Sequence, residues 1–348
     1  MGSYPIYEGQ TPLFLITISS THILFFSTLL LGTGLAASST SWFGAWIGLE
    51  LNLLSFIPLI STKRNQYSSE AALKYFLIQA LGSSVIILAA SFNLTTTNSA
   101  QFLIVVALLL KSGAAPFHFW FPSVIEGLQW PSAILLITIQ KIAPISLLSY
   151  LTAEHIIPIF WLAIILSALI GAIGGLNQTL LRKIIAYSSI NHIAWIISAI
   201  LIRETRWIIY FLFYSLISAS VAFLFFHQEA FHVSQLINHS NHLSSLKLLT
   251  FLSLLSLGGL PPFTGFIPKW IIIQEIVSSE RFFILSVLLG RALITLFYYL
   301  RVSLTALVLS SPQTKWRTKV NPFSFLTPLL ISLNGLGLLI PRALIITI

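Results

Sequence analysis

Two lysines stand next to the same kind of backbone disruption. Lys111 ends an apolar run in LLLKSGAAPFHFWFP (108–122), and Lys269 follows GGLPPFTGFIP (258–268). A proline lacks a backbone N–H and its ring crowds the carbonyl one turn back, so a helix must kink or break at each stretch. Aligning the two matches Gly113 with Gly259, Pro116 with Pro262, Phe117 with Phe263 and Pro122 with Pro268. Irregular backbone at membrane depth persists only where protein covers it or water lines it. Paired, interrupted apolar segments in two halves of a chain mark repeat-built transporters, with the site at the breaks. The plain alternative is a pair of kinks that serve packing alone.

Two more ionisable groups lie in oily surroundings. Glu50 sits near the middle of WFGAWIGLELNLLSFIPL, and Lys141 lies mid-run in ILLITIQKIAPISLL, three residues before Pro144. An isolated carboxylate there costs several kcal/mol or takes up a proton, so a lysine across the bundle, Lys111 or Lys141, is the expected partner. Burial disfavours an ammonium and a nearby carboxylate favours it. A row of lysines that gain and lose such a neighbour can therefore take up and release protons without a redox group. His118, just after the first break, and His192, in YSSINHIAWI beside Ser188, Ser189 and Asn191, are weaker candidates for a hydrated path. The rival reading is a set of static pairs that fix helix packing.

The remaining polar residues promise less. Glu70 and Lys74 have the i, i+4 spacing of an interfacial salt bridge. Arg182 and Lys183 read as interfacial anchors, and Glu126 and Glu154 as loop residues. His227, His232, His239 and His242 surround a polar loop in a spacing that suits no compact metal site.

These groups need a membrane bundle to hold them. The chain has 348 residues, 56% hydrophobic and 8% charged, with a mean hydropathy of +0.93. Soluble domains are about a quarter charged, so this is an all-α polytopic membrane protein. Without cysteine it has no disulfide and no thiolate metal site. The net charge of +9 is scattered among spans and short loops, not clustered as a nucleic-acid footprint would be, so no nucleic-acid partner is expected. The start lacks the basic region of a signal peptide, and the first span can act as its own insertion signal.

A span takes about 20 apolar residues. Eleven are expected, near 13–38, 42–61, 69–92, 99–121, 131–151, 156–176, 181–202, 207–228, 246–277, 281–309 and 325–346, the fourth and ninth interrupted. Loops on the N-terminal side hold Lys63, Arg64, Arg182, Lys183, Lys247, Lys315, Arg317 and Lys319; the other side holds Arg203, Arg206, Arg281 and Arg342. This bias places the N-terminus in the cytoplasm or its mitochondrial equivalent, the matrix.

The runs WIGLELNLLSFIPL, EAALKYFLIQ, LKSGAAPFHFWFP, QKIAPI, GAIGGLNQTLLRKIIAYSSINH and LGGLPPFTGFIPKW resemble, in order and spacing from about Trp42 to Arg301, the subunit 2 family of mitochondrial NADH:ubiquinone oxidoreductase, respiratory complex I. The resemblance implies a single membrane domain over 1–348 with antiporter-like inverted repeats and two discontinuous helices. The first repeat would be partial, about 42–151, the second about 156–309, and a C-terminal helix would follow at about 325–346. It implies proton translocation across the inner mitochondrial membrane, coupled to electron transfer from NADH to ubiquinone. Glu50 would be the carboxylate partner, Lys111 the lysine of the first broken helix, Lys141 the central lysine, and Lys269 the lysine of the second broken helix. No cofactor is implied in this chain: NADH, FMN, iron–sulfur clusters and ubiquinone would belong to partner subunits. Partners would be other membrane-arm subunits, including neighbouring antiporter-like ones, and phospholipids such as cardiolipin. Two features depart from the family: a single methionine, and Ala194 where a glycine is usual. A subunit of a multisubunit cation/proton antiporter and a structural membrane-arm spacer are the alternatives.

Overall fold

The computed structural model describes residues 20–61, 65–92, 97–203, 205–238 and 244–308. Fourteen α-helices occupy these residues: α1 (Ser20–Ser38), α2 (Trp42–Ile60), α3 (Gln66–Phe92), α4 (Thr97–Ser112), α5 (Trp120–Gly127), α6 (Trp130–Ile137), α7 (Ile139–Ser149), α8 (Ile157–Gly174), α9 (Leu181–Ile202), α10 (Arg206–His227), α11 (Val233–Asn238), α12 (Ser244–Gly258), α13 (Phe266–Ser278) and α14 (Phe282–Val308). Eight helical stretches are long and apolar enough to cross a membrane, with α6 and α7 counting as one. Most of α4 and of α12 forms two shorter apolar helices. Together these account for ten of the eleven expected spans; the eleventh, 325–346, lies outside the described residues.

Local chemistry sets the ends. Ser41 caps α2 by accepting a hydrogen bond from the Gly44 N–H at 3.2 Å. Pro131 and Pro158 stand in the first turns of α6 and α8, where a missing N–H costs nothing. Small residues set how closely helices approach, as packing in lipid favours. A Cβ on Gly48 would come within 2.4 Å of the Ala36 nitrogen, which brings the backbones of α1 and α2 together. A Cβ on Gly171 would meet the Asn191 nitrogen at 2.6 Å, which does the same for α8 and α9.

The helices alternate between two ends of the bundle. At the end bearing the starts of α3, α6 and α9, Lys183 pairs with Glu126 at 2.8 Å. There Arg182 donates to the Leu128 carbonyl and Arg301 to that of Gln178. At the opposite end Tyr150 donates to the Ala37 carbonyl, and Arg206 pairs with Glu275 at 2.7 Å. The centre belongs to α9, apolar on nearly every face and buried along most of its length, as such a helix must be. It packs against α5, α8, α10, α13 and α14, and so against the second half of both interrupted helices.

Candidate functional site

The two breaks are built alike. Helix α4 ends as Gly113 takes φ +76° and α12 ends as Gly259 takes φ +79°, a left-handed conformation that favours glycine. In the first break the Ala114 N–H donates to the Leu109 carbonyl and the Gly113 N–H to that of Leu110. In the second the Leu260 N–H donates to the Leu255 carbonyl and the Gly259 N–H to that of Ser256. These are the paired bonds of a Schellman terminus. After Pro116 or Pro262 the chain re-enters helix at Trp120 or Phe266. Each second half carries its proline, Pro122 or Pro268, in the first turn, where the lost N–H had no helical partner.

The lysines use the breaks differently. Lys111 lies in the last turn of α4, before its break; Lys269 lies in the first turn of α13, after its break. Both are buried. The Lys269 ammonium donates to the Gly258 carbonyl at 2.7 Å, one of the carbonyls that the end of α12 leaves open. Carbonyls at the end of α4 are met by neutral side chains: Trp120 Nε1 donates to Leu110 and Gln79 Nε2 to Lys111. The Lys111 stem runs across Gly82 of α3, where a Cβ would come within 2.9 Å of its Cγ.

Glu50 and Lys111 form no direct ion pair. The Glu50 carboxylate acts on Lys111 electrostatically, yet its Oε2 is buried without a hydrogen-bond partner. Of the two partners expected from the sequence, Lys111 is the one it influences.

Lys141 has the barest setting. Its ammonium is buried with no hydrogen-bond acceptor. It rests 4.5 Å from the Phe121 ring centre and 5.8 Å from that of Tyr214. Cation–π contacts contribute about 2 kcal/mol when desolvated, less than the several kcal/mol that burying an ion costs. The sequence places the loosened backbone at Pro144; the structure places it at Thr138, between α6 and α7. Pro144 itself sits inside α7, where the carbonyl it leaves without a helical partner is that of Gln140, two residues beyond Thr138.

His192 joins the halves. Its Nδ1 lies 2.8 Å from the Tyr210 hydroxyl, its ring 4.7 Å from that of Tyr214, and both Lys141 and Lys269 act on it electrostatically. The Lys269 ammonium is 6.0 Å from the Trp195 ring centre, one turn along α9. His118 instead folds back within its own break, with Nδ1 3.2 Å from the Pro116 carbonyl.

Two small cavities complete the line, each with room for about one water. The first lies between Lys111 and Lys141, among Gln79, Trp120, Phe121 and Gln140. The second lies between His192 and the second break, among Tyr214, Ser256, Gly265 and Pro268. Glu50, Lys111, Lys141, His192 and Lys269 thus form one sequence of neighbours from the first break to the second.

Tyr75, Gln79, Gln140, Tyr210 and Tyr214 escape the sequence reading. Tyr75 donates to Gln140 at 3.0 Å, and Gln140 donates to Asn52 at 2.8 Å, which pins α2, α3 and α7 together. The polar residues were visible in apolar runs; the tyrosines carried no such signal. Elsewhere Glu70 and Lys74 form the expected exposed pair at 2.6 Å. Arg182 is more than an anchor, since its guanidinium also lies 4.8 Å from the Phe231 ring centre. Glu126, read as a plain loop residue, closes α5 and is the partner of Lys183. His239 and His242 lie outside the described residues.

A membrane bundle with two broken helices, each with a buried lysine beside the break, defines an antiporter-like membrane protein. The comparisons agree. The family described as NADH:quinone oxidoreductase/Mrp antiporter, TM, matches residues 39–103 and 90–295. NADH-ubiquinone oxidoreductase chain 2 of Anopheles gambiae is 48% identical over 307 residues, covering 86% of this chain and 89% of the relative. A chain of respiratory complex I from Thermus thermophilus superposes with a TM-score of 0.79 at 27% identity, covering 92% of this chain and 79% of that one. A chain of the Mrp complex from Dietzia sp. DQ12-45-1b shares the fold with a TM-score of 0.76 at 17% identity, covering 85% of this chain and 62% of that one. The chain belongs to the NADH-ubiquinone oxidoreductase chain 2 family.

Proposed function

We propose that this chain is a membrane-arm subunit of respiratory complex I that moves protons across the inner mitochondrial membrane, with its N-terminus on the matrix side. NADH oxidation and ubiquinone reduction occur on partner subunits, which hold the FMN and the iron–sulfur clusters; this chain contributes the proton path. The observation that carries this reading is the run of ionisable groups, half-buried Glu50 and buried Lys111, Lys141, His192 and Lys269, threaded through both breaks with a cavity at each.

The mechanism follows from where the groups sit. Glu50 biases Lys111 without binding it, so a change in charge nearby alters the balance between them. A water between Lys111 and Lys141 carries a proton across the first cavity. Lys141 has no hydrogen-bond acceptor to hold its proton, and releases it toward His192. The second cavity, lined by His192 and Pro268, takes it to the second break, where the Lys269 ammonium is steadied by the Gly258 carbonyl until release on the far side. Every step moves one proton from a nitrogen or oxygen to the next lone pair.

The test replaces Lys141 or Lys269 by Met in assembled complex and measures protons pumped per NADH oxidised. A clear fall is expected. Unchanged coupling with normal assembly would refute the proton role; poor assembly with normal coupling would favour a structural spacer. The fold shared with the Mrp complex keeps a cation/proton antiporter subunit as the second reading, which co-purification with flavin and iron–sulfur subunits would reject.

A further inference from the structure

Each half has buried polar atoms without a hydrogen-bond partner, among them the Glu50 Oε2 and the Lys141 ammonium of the first. In the first half Tyr75, Gln140 and Asn52 bond to one another. In the second half the Asn191 Oδ1 is buried with no hydrogen-bond partner, and the hydroxyls of Tyr214, Tyr298 and Tyr299 are buried facing one another and serines of α9 and α10 without a close hydrogen bond. Buried polar groups are overwhelmingly paired, so a cluster of exceptions calls for a reason.

These hydroxyls are arranged in order from one end of the bundle to its centre. Arg301, at the α14 end of the row, donates to the Gln178 carbonyl at 3.1 Å in the connection between α8 and α9. One turn earlier on α14, Tyr298 lies against Gly175, whose absent side chain makes room for it; a Cβ there would meet the ring at 2.7 Å. The rings of Tyr298 and Tyr299 are 4.7 Å apart. The Tyr299 hydroxyl neighbours Ser188 and that of Tyr298. Tyr214 follows beside Ser189 and Ser218, and its ring stacks at 4.7 Å on His192. Nearby residues Asn177 and Thr179 are exposed, whereas Tyr298 and Tyr299 are fully buried.

We propose that Tyr298, Tyr299, Ser188, Ser189 and Tyr214 form a second proton inlet, running from the bundle end at Gly175–Gln178 to His192 and independent of Glu50 and Lys111. It rests on the proton-translocation reading and adds a route within the second repeat. The tyrosine hydroxyls each accept a proton on oxygen and pass their own on; Ser188 and Ser189, which at rest donate to the Ile185 and Ala186 carbonyls, rotate to donate along the row, so no side chain stays ionised and no oxidant or reductant is needed. His192 takes the arriving proton and passes one on toward Lys269. The inlet opens on the bundle end that carries Arg182 and Lys183, the end assigned to the matrix.

The test uses assembled complex in sealed vesicles. Tyr298→Phe and Tyr299→Phe, singly and together, remove hydroxyls and keep the rings that pack on Gly175 and Gly258. Lys141→Met is measured beside them. The expected result is that the double variant lowers protons pumped per NADH by at least half of the loss that Lys141→Met causes. Full pumping by the double variant, with Lys141→Met impaired, would overturn the inlet and leave the proton path standing. Full pumping by Lys141→Met would instead remove the proton role itself. Should the tyrosine variants fail to assemble, Ser188→Ala decides between the same outcomes, since it deletes one hydroxyl from the middle of the row.

Discussion

Gly113 and Gly259 occupy the same step of the two helix breaks, at φ +76° and +79°, although they sit in opposite halves of the chain. Their neighbours differ. A Cβ on Gly113 would lie 3.3 Å from the Phe121 Cβ, whereas one on Gly259 would come within 2.8 Å of the Lys269 Cδ and 2.9 Å of its Nζ. An L-residue in this conformation costs about 1–2 kcal/mol at either site. Gly259→Ala is therefore expected to lower proton pumping more than Gly113→Ala, because it also displaces the ammonium from the Gly258 carbonyl. Pumping and assembly measured on both variants check this, and equal losses would break the link to Lys269.

Phe121 gives Lys141 its nearest contact, 4.5 Å from ring centre to ammonium. Phe121→Leu keeps an apolar side chain of similar reach and removes the π face. The expected outcome is an assembled complex with a lower pumping rate, from the loss of about 2 kcal/mol of cation–π attraction. A variant that pumps at the normal rate would show that the ring serves packing alone.

Gln140 accepts from Tyr75 and donates to Asn52, and it also lines the first cavity. Gln140→Leu would orphan two buried groups, at about 1–3 kcal/mol each. It is expected to speed thermal inactivation of the complex and to slow pumping together. Thermal inactivation without a pumping defect would separate the network from the path.

Arg206 and Glu275 tie α10 to α13 at the end beyond Lys269, with side chains only 14% and 15% exposed. Removing one partner of a buried pair costs about 3–5 kcal/mol, because the other charge is left alone. Arg206→Met and Glu275→Gln are each expected to destabilise the complex, and the double variant less than the two added together. Thermal stability across this cycle gives the coupling; additive losses would mean that the pair does not hold α13.

Much of the architecture was legible in the chain because oil imposes simple rules. Apolar runs long enough to span predicted the helices, and ten are found among the described residues. The Gly-to-Pro spacing matches two breaks that share the same pair of terminal hydrogen bonds, since a proline and a left-handed glycine act locally. Glu50, Lys111, Lys141 and Lys269 stood out because an ionisable group in lipid is costly wherever it is.

What only the tertiary structure decided is who faces whom. Glu50 reads as paired with Lys111 or Lys141, yet it forms no direct pair with either, and the Lys111 stem runs across Gly82 of α3. Lys141 lies against aromatic faces, and His192 links the two halves while His118 bonds within its own break. Tyr75, Tyr210 and Tyr214 looked like any aromatic residue of a span. Hydropathy depends on the residue itself and can be read in one dimension. The neighbour of a charge depends on how separate helices cross, and no local spacing fixes that.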